Sequence, residues 1–237
     1  MARVADQTAI QFRRLNTRKG LAVQSSRAQV DIDRYPAVMR SVLEAEAGIE
    51  LIRGEVIDLR MQGDRVAGVE LDDGALLDST SVILTTGTFL SAVMHCGEEQ
   101  VQGGRVGDAS ASRLSGRLRS LGLRLGRLKT GTTPRIDGRT IDWSKLEVQA
   151  DTQPEGHFSF TPPTVRLEQV DCHVAYTHAG THDLIRAALD RSPLFSGQIE
   201  GRGPRYCPSI EDKVVRFAQR DRHQLFLEPE GLNTHRI

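Results

Sequence analysis

Between Gly48 and Thr88 the chain alternates short β-patterned runs with turn signals and ends in an unbroken apolar run, an order that points to a mixed α/β fold. Ile49 to Ile52, Glu55 to Met61, Arg65 to Leu71 and a short piece around Leu76 read as strands. Gly54, Gln62-Gly63-Asp64 and Asp72-Asp73-Gly74 separate them as hairpin-type turns. Ser81-Val82-Ile83-Leu84-Thr85 then reads as a strand buried on both faces, the texture of a parallel sheet, and it ends at Thr86-Gly87-Thr88. Open α/β sheets bind ligands beyond the carboxyl ends of their strands, where glycine lets the backbone approach closely, so Gly87 is a candidate binding position.

Helical patterns flank this region. Arg34 to Ala47 carries Val38, Val42, Leu43 and Ala47 on one side. Arg113 to Leu125 repeats leucine at 114, 118 and 121, after a glycine-rich loop from Gly103 to Asp108 that either cradles a phosphate or ribose or simply turns the chain. From Leu128 proline and glycine punctuate shorter segments, which reads as entry into a second, looser domain. There His173 to Thr177 is expected as a strand, and Thr181 as the cap of a helix through Asp190 that buries Leu184, Ile185, Ala188 and Leu189. His178 and His182 stand four apart, but without a Glu completing a HExxH pattern the reading is no metal site. His223 to Leu227 is expected as a further strand.

The run from Gly203 to Lys213 places Cys207 in a glycine- and proline-framed turn immediately before a helix. Pro208 suits a first helical turn, Ser209 can cap it, and Glu211 and Asp212 complement the positive end of the helix dipole. Ile210, Val214, Phe217 and Ala218 recur at helical spacing. In such a seat backbone N–H groups, Arg205 and Lys213 favour the thiolate. The competing reading is an inert buried cysteine.

Lys plus Arg and Asp plus Glu both total 31, so global charge names no partner. Locally, Arg105, Arg113, Arg117, Arg119, Arg124, Arg127, Lys129 and Arg135 are opposed only by Asp108, a basic block suited to an anionic partner or to a solvated helix face. Cys96, Cys172 and Cys207 show no CxxC spacing, which fits a reducing cytoplasm. No apolar run approaches the roughly 20 residues that span a bilayer. A soluble, cytoplasmic protein is expected.

Taken together, the motifs resemble the MnmG/GidA family of flavoproteins. They run from Ile10-Gln11-Phe12-Arg13 and Ser26-Arg27-Ala28-Gln29 through Thr86-Gly87-Thr88-Phe89-Leu90, Gly103-Gly104-Arg105 with Gly107-Asp108, and Gly126-Arg127-Leu128-Lys129-Thr130-Gly131. Thr181-His182-Asp183, Asp190-Arg191-Ser192-Pro193, the string from Gly203 to Lys213, and Phe226-Leu227-Glu228-Pro229-Glu230-Gly231 complete the set.

The resemblance implies an α/β fold: a partial two-dinucleotide-binding, Rossmann-like FAD domain with a β-meander over residues 1–127, and an inserted α/β domain on the NADH and substrate side over residues 128–237. It implies formation of 5-carboxymethylaminomethyluridine at the wobble position of tRNA, with FAD, NADH, methylene-tetrahydrofolate as one-carbon donor, a GTPase partner of the MnmE type, and a homodimer. The implied FAD positions are Val56, Gly87 and Ala111. The implied nicotinamide-nucleotide stretch is Gly203, Pro204, Arg205, Tyr206, Cys207, Pro208, Ser209, Ile210, Glu211, Asp212, Lys213, Val214, Val215, Arg216 and Phe217. Cys207 matches one of two cysteines the family uses on uridine, as nucleophile or as acid/base. Arg119, Arg124, Arg127 and Lys129 are then candidates for tRNA phosphates.

The chain departs from the family in lacking the GxGxxG loop and the second cysteine, and in carrying Ala109, Ser110 and Arg113 where a proline-rich loop is usual. An internal piece of a longer protein is therefore expected, binding FAD weakly or not at all by itself. A folate- and FAD-dependent tRNA uridine methyltransferase, or a non-enzymatic remnant that binds RNA or a partner, are the alternatives.

Overall fold

The computed structural model describes residues 1–129, 131–153, 155–199 and 208–237. In chain order the elements of the first half are α1 (Ala2–Thr8), β1 (Ala9–Leu15), β2 (Ser25–Val30), α2 (Arg34–Glu44), β3 (Val56–Gln62), β4 (Arg65–Leu71), β5 (Leu76–Asp78), β6 (Val93–Cys96), β7 (Glu99–Gln102) and α3 (Ser112–Ser120). The second half adds β8 (Glu147–Gln149), β9 (Cys172–Tyr176), α4 (Ala179–Ala187), α5 (Ile210–Arg216) and β10 (Gln224–Leu227). The chain divides into two compact units that interleave in sequence.

One unit comprises Met1–Leu51, Thr132–His182 and Phe217–Ile237. It holds the β1–β2 hairpin and a three-stranded sheet of order β10-β9-β8, both antiparallel. Ala9, Ile10, Gln11 and Phe12 of β1 are all buried. A buried Gln needs partners for its amide. Gln11 donates through Nε2 to the carbonyls of Gln149 (3.0 Å) and Val170 (3.2 Å), and its Oε1 accepts from Cys172 Sγ (3.3 Å). The strand is thus fastened by main-chain carbonyls far away in sequence.

The other unit comprises Ile52–Gly131 and Asp183–Arg216. Its β3-β4-β5 meander turns through Gly63 (φ 59°), the first residue of a two-residue hairpin loop that needs positive φ. Gly68 (φ 149°) lets β5 come close, since a Cβ there would lie 2.1 Å from the Leu77 carbonyl oxygen. The core gathers Leu59 of β3 with Leu114 and Leu118 of α3, and Val56, Met61, Val69, Val82, Leu90, Leu121 and Leu125 pack against them. Each fully buried leucine contributes about 1.5–3 kcal/mol, so the helix is clamped to the meander by its apolar stripe. Arg117 adds an ion pair to Asp58 (2.6 Å).

Several expectations change. Ser81–Thr85 is not a strand, and Ile83 is 87% exposed; burial on both faces needs strands alongside, and no described strand pairs with this run. Every ladder among the described residues is antiparallel, with parallel pairing only at the isolated Leu90–Ala111 bridge. Ile49–Ile52 is irregular and exposed. The helix α3 stops at Ser120 rather than Leu125, because Gly122 (φ 85°) turns left-handed and Leu123 N–H returns to the Leu118 carbonyl (3.1 Å). Thr181 lies inside α4 rather than capping it. That helix ends early as Ala188 and Leu189 tighten into i→i−3 bonds, and Leu184 within it is 75% exposed rather than buried.

Candidate functional site

In the unit built on the meander, two glycine-bearing loops meet at the foot of α3. The loop Thr86–Leu90 lies against the loop Gly103–Asp108, joined by Thr88 Oγ1 donating to the Gly104 carbonyl (3.1 Å). A Cβ on Gly104 would come within 2.7 Å of the Thr88 carbonyl oxygen and 2.8 Å of the Phe89 ring, so only glycine permits this approach. Gly87 is left-handed (φ 56°), and a Cβ there would meet nothing closer than the Phe89 ring at 4.0 Å. Its backbone therefore faces open space, the property a close-approach position needs.

Ser91 closes the loop at φ 47°, a conformation that costs a non-glycine residue free energy and persists only when its surroundings hold it. They do so through three groups bonded to Ser91 itself and one bond beside it. Its N–H donates to the Ala111 carbonyl (3.2 Å), Ala111 N–H donates to the Phe89 carbonyl (2.9 Å), the Arg127 guanidinium donates twice to the Ser91 carbonyl (3.3 Å each), and the Ser91 and Ser115 hydroxyls are hydrogen-bonded. Ala111 is the N-cap residue of α3 and offers no side-chain oxygen to the first turn. Val56, at the start of β3, packs against the core beneath. The structure thus brings Val56, Gly87 and Ala111 into one unit. It adds Ser91, Ser115 and Arg127 as positioning residues, which sequence reading missed because no periodicity marks a left-handed serine.

Of the nicotinamide-side candidates, Gly203, Pro204, Arg205, Tyr206 and Cys207 lie outside the described residues. From Pro208 onward the expected cap is present. Asp212 N–H donates to Ser209 Oγ (3.0 Å) and Ser209 N–H to Asp212 Oδ2 (3.3 Å), a reciprocal capping box opening α5. Asp212 also pairs with Arg216 (3.3 Å). Val214 is the buried anchor of this helix, while Val215 and Phe217 are exposed and Phe217 falls beyond its last turn.

The basic block is divided by the fold. Arg105 pairs with Asp108 (2.6 Å), Arg113 with Glu55 (3.8 Å), and Arg117 with Asp58. Arg127 is committed to Ser91, and Lys129 Nζ donates to the Leu194 carbonyl (3.4 Å). Arg119 and Arg124 are exposed, with no side-chain partner among the described residues. Cys172 is fully buried, and burial pushes its thiol up to about 11, so it is no nucleophile. His182 is buried with Nε2 bonded to Thr177 Oγ1 (2.8 Å), a structural tie between the start of α4 and the residue that follows β9.

These features can be set beside known proteins. A sequence model of the family described as glucose inhibited division protein A matches residues 1–237. The tRNA uridine 5-carboxymethylaminomethyl modification enzyme MnmG of Pelobacter propionicus is 54% identical over 234 residues, covering 99% of this chain and 37% of that protein. The structure of Aquifex aeolicus GidA in one crystal form superposes with a TM-score of 0.90 at 45% identity, covering 100% of this chain and 41% of that one. A second crystal form gives 0.87 at 43% identity, over 39% of that chain. This chain therefore spans about two fifths of the length of the relatives it matches. With the match running through every residue and the fold agreeing along its full length, the chain belongs to the glucose inhibited division protein A (GidA) family.

Proposed function

We propose that this chain is part of a flavin-dependent enzyme that builds the 5-carboxymethylaminomethyl group on the wobble uridine of tRNA. The observation that carries the reading is 54% identity, over 99% of the chain, to a protein named for that modification.

The residues present fit one wall of a flavin dinucleotide site. Gly87 turns its backbone to open space, Gly104 lets the neighbouring loop close on Thr88, and the uncapped first turn of α3 follows Ala111. Those residues would hold the adenosine side of FAD in a partial Rossmann-like domain, with Val56 beneath. The sequence contains no GxGxxG loop, so no seat for the pyrophosphate is assigned within it. When bound, the flavin would supply redox chemistry that the side chains of this chain cannot. NADH as its reductant would be held along the stretch ending in α5, and methylene-tetrahydrofolate is the proposed one-carbon donor.

Cys207 is the proposed catalytic residue. Carbon 5 of uridine is a weak nucleophile until a thiolate adds at carbon 6; the Sγ–C6 bond then pushes the ring's electron pair toward C5. C5 bonds the methylene carbon as one of that carbon's bonds to a donor nitrogen breaks, and loss of the C5 proton and departure of the thiolate then restore the ring. Arg119 and Arg124 would contact tRNA phosphates, a GTPase of the MnmE type would be the partner, and a homodimer in the cytoplasm the working form.

The test is a graft. These 237 residues replace the matching stretch of the Pelobacter propionicus enzyme in cells lacking their own, and tRNA nucleosides are read by mass spectrometry. Restored modification that Cys207→Ala abolishes supports the reading. A folded, flavin-loaded graft that leaves the wobble uridine bare refutes it, and a methylated uridine elsewhere in the tRNA would favour the folate-dependent methyltransferase.

A further inference from the structure

The β1–β2 hairpin concentrates positive charge that the other described residues meet only in part. From Gln7 to Val30 the sequence carries Arg13, Arg14, Arg18, Lys19 and Arg27 and no acidic residue. In the ladder Arg13 stands directly opposite Arg27. Only part of the charge is met internally: Arg27 pairs with Glu228 (2.7 Å), and Arg13 donates to the Ala150 carbonyl (2.8 Å). Arg14, Arg18 and Lys19 are exposed, and their side chains have no partner among the described residues.

The turn that carries them is built rather than loose. Asn16 takes the left-handed conformation (φ 58°), and its Nδ2 donates to the Val23 carbonyl (2.9 Å). Lys19 N–H donates to the Asn16 carbonyl (2.9 Å), and the Gln24 amide reaches the carbonyls of Lys19 (3.1 Å) and Thr17 (3.5 Å). Side-chain amides thus fix the backbone on either side of two free cations, so little backbone entropy remains to be lost on binding. Other arginines of the chain, at positions 60, 105, 113, 117, 135, 139 and 236, are paired with carboxylates.

We propose that this hairpin is a polyanion-binding finger that lies along the ribose–phosphate backbone of RNA, with Arg14, Arg18 and Lys19 as its phosphate contacts. Phosphate spacing suits cations distributed along a strand and its turn, and such contacts position the RNA without reading its bases. The inference rests on the function proposed above only for the identity of that RNA as a tRNA.

The experiment titrates the full 237-residue chain against labelled tRNA, and against single-stranded and duplex RNA of similar length, by fluorescence anisotropy over a range of salt concentrations. Removing three phosphate contacts in the Arg14→Gln/Arg18→Gln/Lys19→Gln variant is expected to lower the slope of log affinity against log salt by about 2–3 for every RNA. The Arg14→Lys/Arg18→Lys variant should keep the slope. If the triple variant does not fold, Arg18→Gln alone should lower the slope by about 1. An unchanged slope in folded variants, or no RNA binding by the unaltered chain, overturns the proposal. Loss of slope in a chain whose graft modifies no tRNA would leave the finger standing and defeat the enzymatic reading.

Discussion

The hydroxyl of Ser115, in the first turns of α3, accepts a hydrogen bond from the hydroxyl of Ser91. Ser115 Oγ spends its own proton on the Ser112 carbonyl (2.8 Å), so Ser91 is the donor of the pair. The bond ties a left-handed serine to the helix that roofs the meander core.

Ser115→Ala removes the acceptor and leaves the Ser91 hydroxyl without it. The expected loss is about 1–2 kcal/mol, read from urea unfolding of the chain. A second change, Ser91→Gly, relieves the left-handed conformation and should add little further destabilisation on that background, because the two residues act as one device. Fully additive losses would show that the hydroxyl pair does not hold the loop.

How much of this was legible in the sequence follows from the range of each interaction. The β3–β4 hairpin and the capping box of α5 are set by residues within four positions of one another, and both were readable from Gln62-Gly63-Asp64 and Ser209 with Asp212. Ser81–Thr85 carries strand composition, but composition cannot report whether partner strands lie alongside. The Ser91–Ser115 pair joins residues brought together only by tertiary structure, and no spacing rule anticipates it. Arg127 illustrates the same limit at the site itself. It was a plausible phosphate ligand by charge, and the fold uses it to hold the Ser91 carbonyl.

Cys172 should resist alkylation in the native chain while the exposed Cys96 reacts. Burial, and then the charge of Glu228, raise its ionisation to about 11 against an ordinary 9.0. A folded-state pKa raised above the unfolded value contributes stability that is present below the unfolded pKa and lost as pH rises through the folded one. Stability should therefore fall as pH climbs from 9 toward 11, and Cys172→Ser should flatten that decline. Rapid native-state labelling at this position, followed by mass spectrometry of the peptide, would contradict the buried assignment.

Asp31 joins the start of α2 to a distant turn. Its Oδ1 accepts from Asp33 N–H (3.0 Å) and Arg34 N–H (2.9 Å), and its Oδ2 from Leu232 N–H (2.9 Å). Burial alone would raise this carboxyl, but the N–H groups of Leu232, Arg34 and Asp33 outweigh it and hold the pKa below the usual range. A depressed carboxylate contributes stability present above the unfolded pKa and lost as pH falls through the folded one. Asp31→Asn keeps one acceptor and turns an amide toward Leu232 N–H, so it should cost about 1.5–3 kcal/mol at neutral pH and weaken the acid dependence of unfolding. An unchanged acid limb would assign that dependence to other carboxylates, Asp6 first among them.

Among the described residues Arg119 and Arg124 have no side-chain partner where their neighbours in the basic block are engaged, so they are the cations of that block with charge to offer a ligand. Reversing both to glutamate should weaken tRNA binding more at low salt than at high salt, because exposed charges act through a field that a Debye length of about 8–10 Å screens at physiological ionic strength. Both side chains are exposed, so the melting temperature should stay close to that of the unaltered chain. A loss of affinity independent of salt, accompanied by a lower melting temperature, would trace the effect to the packing of α3 on β3 and remove the two arginines from the RNA surface.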